Sequence, residues 1–111
     1  MADPPSTAVT VTDAPARERF EAHVDGDLAG FLTYHHRPEH LSLVHTEVDE
    51  AFEGRGVGGA LVRAAVDRAS AEGLDVLPFC PFAREWLARH PEHVDLVPAA
   101  RREAFGLPPD P

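Results

Sequence analysis

The chain has 111 residues and a mass of 12.1 kDa, which accommodates one domain and excludes a two-domain enzyme. Its 19 acidic residues outnumber 10 basic residues, all of them arginine, and the net charge of −9 repels phosphate backbones and anionic bilayers. We therefore expect no nucleic-acid partner and no membrane partner, whereas an amine substrate suits this charge.

The chain has a single cysteine, Cys80, so no intrachain disulfide can form. The N-terminus carries an acid and two prolines where a signal peptide has a basic start and an apolar run, and no stretch approaches the ~20 apolar residues of a membrane span. These features predict a cytoplasmic protein. At this size a monomer can bury a sufficient core, and a homodimer would add to its stability.

Both ends of the chain are rich in proline and lack periodicity, so we expect residues 1–8 to be disordered and residues 105–111 to form a C-terminal tail. The domain then spans residues 9–104. Within it, alternating apolar residues predict strands over 19–24 and 28–35, joined by a turn at 25–27, and a third strand over 40–48. The three form an antiparallel meander.

The second half of the domain contains the strongest helical pattern. Apolar residues recur at helical spacing from Gly56 to Glu72, and Gly73 lies where a helix stop is expected. A short apolar strand over 74–79, parallel to the strand before the helix, and a second helix over 82–89 follow, with Trp86, Phe82 and Leu87 in the core. A last strand over 93–97 is also indicated. The fold class is mixed α+β, with a mostly antiparallel central sheet, a main helix and a second short helix.

A glycine-rich turn precedes the main helix. Glycine tolerates positive φ and lets an anion approach backbone N–H groups, and the positive end of the helix dipole adds to the attraction. The turn therefore suits a phosphate or pyrophosphate, although tight packing of strand against helix explains glycines equally well. The residues from Gly54 to Gly59 also match the G-x-G-x-x-G pattern of dinucleotide-binding folds, but three antiparallel strands precede them and too little chain follows.

The residues Val48-x-Glu50-x-x-Glu53-Gly54-x-Gly56-Val57-Gly58 resemble the V-x-P-x-x-[RQ]-G-x-G-[IV]-G signature of the GNAT N-acetyltransferase superfamily. The strand order and the segments around the motif, from about Phe20 to Pro91, resemble its small single-domain branch. Glu50 and Glu53 depart from the pattern, and Arg55 offsets part of their charge. The helices that contribute to the acceptor site between the first two strands are also missing.

The resemblance implies that acetyl-CoA is the co-substrate and that an amine is the acceptor. It assigns the pantetheine arm to backbone groups from Thr46 to Val48. The residues that it assigns to the pyrophosphate are Glu53, Gly54, Arg55, Gly56, Val57, Gly58 and Gly59.

Three residues are candidates for catalysis. Glu47 can take the proton of the attacking amine as a general base, and His45, on the same strand face, is a second candidate because histidine is a common catalytic base. Cys80 follows the fourth predicted strand, where the resembled fold admits CoA, and is either an acetylated nucleophile or a small buried apolar residue. No metal site is expected, because His35 and His36 point to opposite sheet faces and do not converge with His40 and His45.

The sequence thus favours an acetyltransferase that works by direct attack of an amine on acetyl-CoA. The alternatives are a covalent mechanism through Cys80, a non-catalytic module that binds CoA or acyl-CoA, and a plain phosphate-binding or interaction domain. The acceptor is not identified by the sequence.

Overall fold

Five strands form one sheet in the computed structural model, which describes residues 8–107. The strands are Thr10–Ala14 (β1), Arg19–Val24 (β2), Asp27–His36 (β3), His40–Val48 (β4) and Asp75–Pro78 (β5). The helices are Val57–Glu72 (α1), Pro81–Arg89 (α2) and Ala99–Arg102 (α3). Most of these bounds lie within one residue of the predicted ones.

The strands lie in the order β1-β2-β3-β4-β5, and the first four are antiparallel. β5 pairs with β4 in parallel, because α1 carries the chain back to the end of the sheet from which β4 starts. The structure confirms the predicted mixed α+β class and the mostly antiparallel sheet. It also confirms that the strand after the main helix is parallel to the strand before it.

The sheet has one buried face and one open face over β2, β3 and β4. Phe20, Leu32 and Tyr34 lie in the core, whereas the intervening Phe31 and Thr33 are half-exposed. This alternation is the two-residue period of a strand with one face against a helix. The covered face packs mainly against α1.

Glycines define both ends of α1. Gly56 caps its N-terminus and Gly73 its C-terminus, both in the left-handed conformation, as the predicted helix stop requires. A stripe of apolar residues faces the sheet and is fully buried: Leu61, Val62, Ala65, Val66 and Ala69.

Two elements differ from the sequence prediction. β1 was not predicted, because its residues Thr10–Ala14 include only one large apolar side chain, Val11. The predicted strand over 93–97 is wrong: Pro91–Leu96 form a 3-10 helix, because Pro91 fixes a helical φ at its first turn.

The C-terminal segment is ordered further than the predicted boundary at residue 105. Phe105 and Leu107 are buried in the core, with 8% and 5% of their surface exposed. Phe105 packs edge-on against Phe79 at 5.3 Å between ring centroids. Trp86 and Leu87 are core residues as predicted, whereas Phe82 is 42% exposed. The predicted disordered residues 1–7 and tail residues 108–111 lie outside the described part of the chain.

Candidate functional site

The strands β4 and β5 separate halfway along β4. Their pairing runs from His40 with Asp75 to Leu43 with Pro78, and a last backbone bond joins Cys80 N–H to Leu43 C=O at 2.9 Å. Beyond Leu43, β4 continues to Val48 without pairs to β5 among the described residues. β4 also has a bulge between Leu43 and His45, where its pairing with β3 shifts by one residue. A gap therefore opens beside the second half of β4.

Backbone groups of β4 face this gap. Asp49 N–H donates to Ala29 C=O at 2.8 Å, and the Thr33 hydroxyl donates to His45 C=O at 3.4 Å, so alternate residues of β4 turn their backbone toward β3. Because the direction alternates along a strand, the N–H and C=O groups of Thr46 and Val48 point the other way, into the gap. An extended ligand that entered the gap would meet these backbone groups.

The glycine-rich turn lies at the end of the same strand. Asp49 caps a short 3-10 helix, Glu50–Phe52, by accepting a hydrogen bond from Ala51 N–H at 2.8 Å. Gly54 and Gly56 then adopt φ of +84° and +79°, and a Cβ at either position would have nothing within 4 Å. Both glycines are therefore present for their backbone conformation, and they leave open space above the turn.

Helix α1 begins at this open space. Its first main-chain bond runs from Ala60 N–H to Gly56 C=O at 3.0 Å, so the preceding N–H groups of the first turn have no acceptor within the helix. N–H groups of this kind, together with the helix dipole, are the features with which helix N-termini attract anions. The carboxylate of Glu53 and the guanidinium of Arg55 belong to exposed residues on the same turn.

Gly58 and Gly59 have a different role from Gly54 and Gly56. A Cβ on Gly58 would lie 2.5 Å from Cζ of Phe82, and one on Gly59 would lie 3.4 Å from Nε1 of Trp86. Both glycines thus let α2 approach the first turn of α1. The packing explanation of glycine applies to this pair, whereas Gly54 and Gly56 border open space.

His45 and Glu47 lie together on the open face of the sheet. Nε2 of His45 is 3.0 Å from Oε1 of Glu47, and the two side chains are 57% and 63% exposed. The His45 ring is also 6.2 Å from that of Phe31, between ring centroids. The shared face predicted for these two residues is correct, and the carboxylate has a partner that can accept or supply a proton.

A second carboxylate on this face is already neutralised. Glu21 pairs with Arg19 at 2.8 Å and with Arg17 at 3.2 Å. The hydrogen bond from Arg19 lowers the pKa of the Glu21 carboxyl, against the opposing effect of burial. The Arg19 guanidinium also stacks on Phe31 at 4.5 Å. Of Glu21 and Glu47, only Glu21 is paired with arginine among the ion pairs of the described residues.

Cys80 lies on the other side of β4. Its Sγ is 3.2 Å from Oγ1 of Thr46, it is 3% exposed, and it directly precedes α2 without a side-chain hydrogen bond to the helix. Thr46 is paired with the core residue Leu32, so its side chain points to the covered face, away from Glu47. Cys80 and Glu47 thus flank β4 from opposite faces and cannot share one proton.

Sequence reasoning missed two side chains beside Glu47. Leu28, which is 44% exposed, and Asp49 lie with Glu47 around one small pocket on the open face. The strand pattern placed Glu47 on a face with His45, but the lateral pairing of β3 with β4 was needed to bring Leu28 beside it. Among residues 8–107, no group of three or more histidine, cysteine or acidic side chains is placed to hold a metal ion. None of the described helices has the length and apolar composition of a membrane span.

A family model and two relatives match most of this chain. The family model described as GCN5-related N-acetyl-transferase matches residues 19–96. Protein NATD1 of Xenopus tropicalis is 30% identical over 89 residues, which are 78% of this chain and 82% of that protein. Protein NATD1 of Danio rerio is 28% identical over 96 residues, which are 83% of this chain and 87% of that protein.

The fold also resembles a solved structure. The crystal structure of ribosomal-protein-alanine N-acetyltransferase from Brucella melitensis biovar Abortus 2308 matches with a TM-score of 0.52 and 26% identity. The match covers 57% of this chain and 49% of that chain, so it spans about half the length of the larger protein.

Proposed function

We propose that this chain, which belongs to the GCN5-related N-acetyltransferase family, moves an acetyl group from acetyl-CoA to the nitrogen of an amine by direct attack. The observation that carries the proposal is the gap between β4 and β5, which opens beside the anion-binding turn at the start of α1. One extended ligand with a pyrophosphate at one end fits both features at once.

The residues of the gap and the turn fit acetyl-CoA in three respects. The backbone groups of Thr46 and Val48 match an amide-containing pantetheine arm, which can both donate and accept hydrogen bonds. The space above Gly54 and Gly56 and the N–H groups of the first turn of α1 match a pyrophosphate. Arg55 is exposed on the same turn and offsets the charge of Glu53.

Glu47 is the general base of this proposal. Acetyl-CoA supplies the acetyl group as a thioester, and the amine must be neutral to attack it. The exposed Glu47 carboxylate takes the proton of the bound ammonium group, and His45 at 3.0 Å passes it on to solvent. The new bond joins the amine nitrogen to the acetyl carbon, the bond from that carbon to sulfur breaks, and CoA leaves as a thiolate that takes up the second proton released by the nitrogen.

Cys80 is the alternative nucleophile. Its position directly before α2 and its contact with Thr46 place the sulfur beside the second half of β4, which favours a covalent route. Its burial favours the direct route, because an amine on the open face reaches Glu47 and not the sulfur. A covalent route remains the second candidate.

A non-catalytic CoA-binding module is the third candidate. Only a 3-10 turn, Pro15–Arg17, separates β1 from β2 in the structure, so the acceptor-site helices expected from the resemblance are missing there. We further propose a cytoplasmic protein, monomeric or homodimeric, without a metal cofactor and without a nucleic-acid or membrane partner.

The test is acetyl transfer from acetyl-CoA to a panel of primary amines, with Glu47→Gln and Cys80→Ser variants. Glu47→Gln keeps the shape of the side chain and removes the base, so we expect unchanged affinity for acetyl-CoA and a turnover reduced by about 10²–10⁴-fold. The acidic limb of the pH–rate profile should also move or disappear. Cys80→Ser should change turnover only modestly.

Three results would redirect the proposal. Loss of turnover in Cys80→Ser, together with an acetylated wild-type protein by mass spectrometry, establishes the covalent route. Full activity in both variants makes His45 the next candidate for the base. Binding of acetyl-CoA without transfer to any amine supports the module. Glu85→Gln, an exposed glutamate on α2, is the matched control.

A further inference from the structure

An indole N–H lies against the first turn of α1. A Cβ added to Gly59 would lie 3.4 Å from Nε1 of Trp86, a side chain that is only 8% exposed. Within residues 8–107 this N–H has no hydrogen-bond acceptor, and Nε1 itself is not enclosed, so a ligand from solvent can reach it. A buried tryptophan ordinarily has a partner for its N–H, so an unused donor aimed at a helix start indicates a ligand there.

Arg63 places a cation beside the same indole. It follows Gly59 by four residues, so the two lie on one face of α1, about 6 Å apart along the helix axis. Its guanidinium is 5.4 Å from the centre of the Trp86 ring, and the residue is exposed. The ion pairs that α1 forms in the described residues use Arg68, and neither Arg63 nor Asp67 takes part in one. The N–H donors of Arg63 are therefore available to an anion.

The indole is held in place by two histidines. The His90 ring stacks on it with 3.9 Å between ring centroids, and Nδ1 of His90 donates to the Trp86 C=O at 2.7 Å. The His93 ring lies at 5.5 Å between centroids. Because these contacts restrict the indole, its N–H is oriented before a ligand binds, and little conformational entropy is lost on binding.

We propose that Trp86 and Arg63 bind the 3′-phosphate of CoA and thereby make this protein select CoA over dephospho-CoA. The inference rests on the proposed co-substrate and names two residues that determine its recognition. CoA carries its pyrophosphate and its 3′-phosphate on one ribose, so the two groups lie close together. With the pyrophosphate at Gly54 and Gly56, the 3′-phosphate lies within reach of a donor one helical turn along α1.

The two donors suit a phosphate dianion. A guanidinium can give two parallel N–H bonds to phosphate oxygens, and the indole N–H can give a third to the same group. The net charge of −9 repels phosphate at long range, and Glu53 is exposed on the neighbouring turn, so the attraction has to come from such local donors. Dephospho-CoA keeps the pyrophosphate and the pantetheine arm but leaves both donors to water. The difference in affinity between the two ligands therefore measures this site.

The first experiment is calorimetric titration of the whole chain with CoA and with dephospho-CoA at one ionic strength. We expect CoA to bind about tenfold more tightly, since hydrogen bonds to a charged group contribute on this scale. Arg63→Gln removes the guanidinium from an exposed position, so it should weaken CoA binding about tenfold and leave the affinity for dephospho-CoA unchanged. Arg37→Gln makes the same change in charge beyond the opposite end of β4 and should leave both affinities unchanged.

Each result of this titration bears on the site. Equal affinities for CoA and dephospho-CoA in the wild type overturn the inference and leave the proposed co-substrate standing. A preference for CoA that survives Arg63→Gln in full also overturns it, because the 3′-phosphate is then bound elsewhere. Failure of both ligands to bind contradicts the inference together with the proposed co-substrate. A preference for CoA that depends on Arg63, without acetyl transfer to any amine, supports the site and contradicts the proposed catalysis.

The second experiment observes the indole directly. Trp86 is the single tryptophan of the chain, so its indole N–H gives one resonance in a proton–nitrogen correlation spectrum. Saturating CoA should move this resonance downfield, because the N–H then donates to a phosphate oxygen, and dephospho-CoA should move it much less. Trp86→Phe keeps an aromatic ring and removes the N–H, so it should reduce the preference for CoA. An equal displacement of the resonance by both ligands, or a wild-type preference in Trp86→Phe, contradicts the role of the indole.

Discussion

At the scale of single residues, the glycines of one motif divide into two groups. Gly54 and Gly56 need positive φ and leave open space, whereas Gly58 and Gly59 lie against the rings of Phe82 and Trp86. We therefore expect substitution of Gly54 or Gly56 to weaken ligand binding, and substitution of Gly58 or Gly59 to disturb the packing of α1 against α2.

Comparison with Gly73 can separate the proposed role of Gly56 in CoA binding from the backbone strain that any replacement of this glycine causes. Both residues have positive φ, and a Cβ at either would have nothing within 4 Å, but they cap opposite ends of α1. Alanine should therefore cost about 1–2 kcal/mol of stability at either position. We expect Gly56→Ala, and not Gly73→Ala, to weaken CoA binding at least tenfold by calorimetry.

This comparison has a clear contrary outcome. Equal CoA affinity in Gly56→Ala and Gly73→Ala would place the pyrophosphate elsewhere, because both variants carry the same strain. Urea unfolding of each variant checks that the two substitutions lower the free energy of unfolding by similar amounts.

At the scale of elements, α1 and α2 meet at Gly58. A Cβ there would lie 2.5 Å from the Phe82 ring, which is closer than packed side chains approach. Because this ring is 42% exposed, it can move away from an added methyl group at a moderate cost. The contact sets the separation of the two helices beside the gap between β4 and β5.

A double-mutant cycle tests this contact. Gly58→Ala should lower the free energy of unfolding by about 1–3 kcal/mol in the wild-type background, as overpacking does. The penalty should shrink in a Phe82→Ala background, where the clashing ring is absent. Additive effects of the two substitutions, measured by urea unfolding, would mean that the ring does not limit residue 58.

β1 is tied to α1 by a polar cluster. The Tyr34 hydroxyl donates to Asp13 of β1, and Arg68 of α1 bonds both Asp13 at 2.8 Å and the Tyr34 oxygen at 3.1 Å. Burial and the hydrogen bond to Asp13 raise the pKa of Tyr34 above its ordinary value of 10.0. The folded protein therefore keeps this proton to a higher pH than the unfolded chain does.

The alkaline stability curve should report this proton. Since the raised pKa stabilises the fold below about pH 10, the free energy of unfolding should fall as the pH rises above 10. Tyr34 is the only tyrosine, and the chain has no lysine, so few other groups titrate there. Tyr34→Phe should lose about 0.5–1.5 kcal/mol at neutral pH and flatten the alkaline fall. A variant that keeps the wild-type slope in urea titrations at pH 9–11.5 contradicts this assignment.

At the scale of the whole molecule, the gap and the turn belong to one folding unit, so a ligand that spans them stabilises the entire domain. CoA at about 100 times its dissociation constant should add about 2.7 kcal/mol to the free energy of unfolding. For a domain of this size, that gain corresponds to a rise in Tm of roughly 10 °C or more.

Thermal unfolding with CoA, and with ATP as a control of similar charge, measures this gain. ATP lacks the pantetheine arm and should raise the Tm much less. Equal effects of CoA and ATP would favour a plain phosphate-binding domain. No shift with millimolar CoA would contradict the proposed co-substrate.

The sequence by itself determined the elements whose patterns are local. The period of two in β2, β3 and β4 and the period of 3.6 in α1 follow from which side chains must leave water, and Gly73 marks a helix end because of its backbone freedom. The motif from Val48 to Gly58, together with the strand order and the flanking segments, predicted the family that the family model found. The shared face of His45 and Glu47 also followed from spacing alone.

Only the tertiary structure decided the features that depend on distant contacts. β1 forms because its backbone pairs with β2, although its own side chains give little apolar signal. Phe105 and Leu107 are buried because β5 and the helices offer them a surface, which a proline-rich sequence does not reveal. The separate roles of Gly56 and Gly58, and the meeting of Leu28 with Glu47 and Asp49, likewise depend on which elements become neighbours. A local pattern fixes the direction of a side chain relative to its own element, but the packing of the elements decides what that side chain contacts.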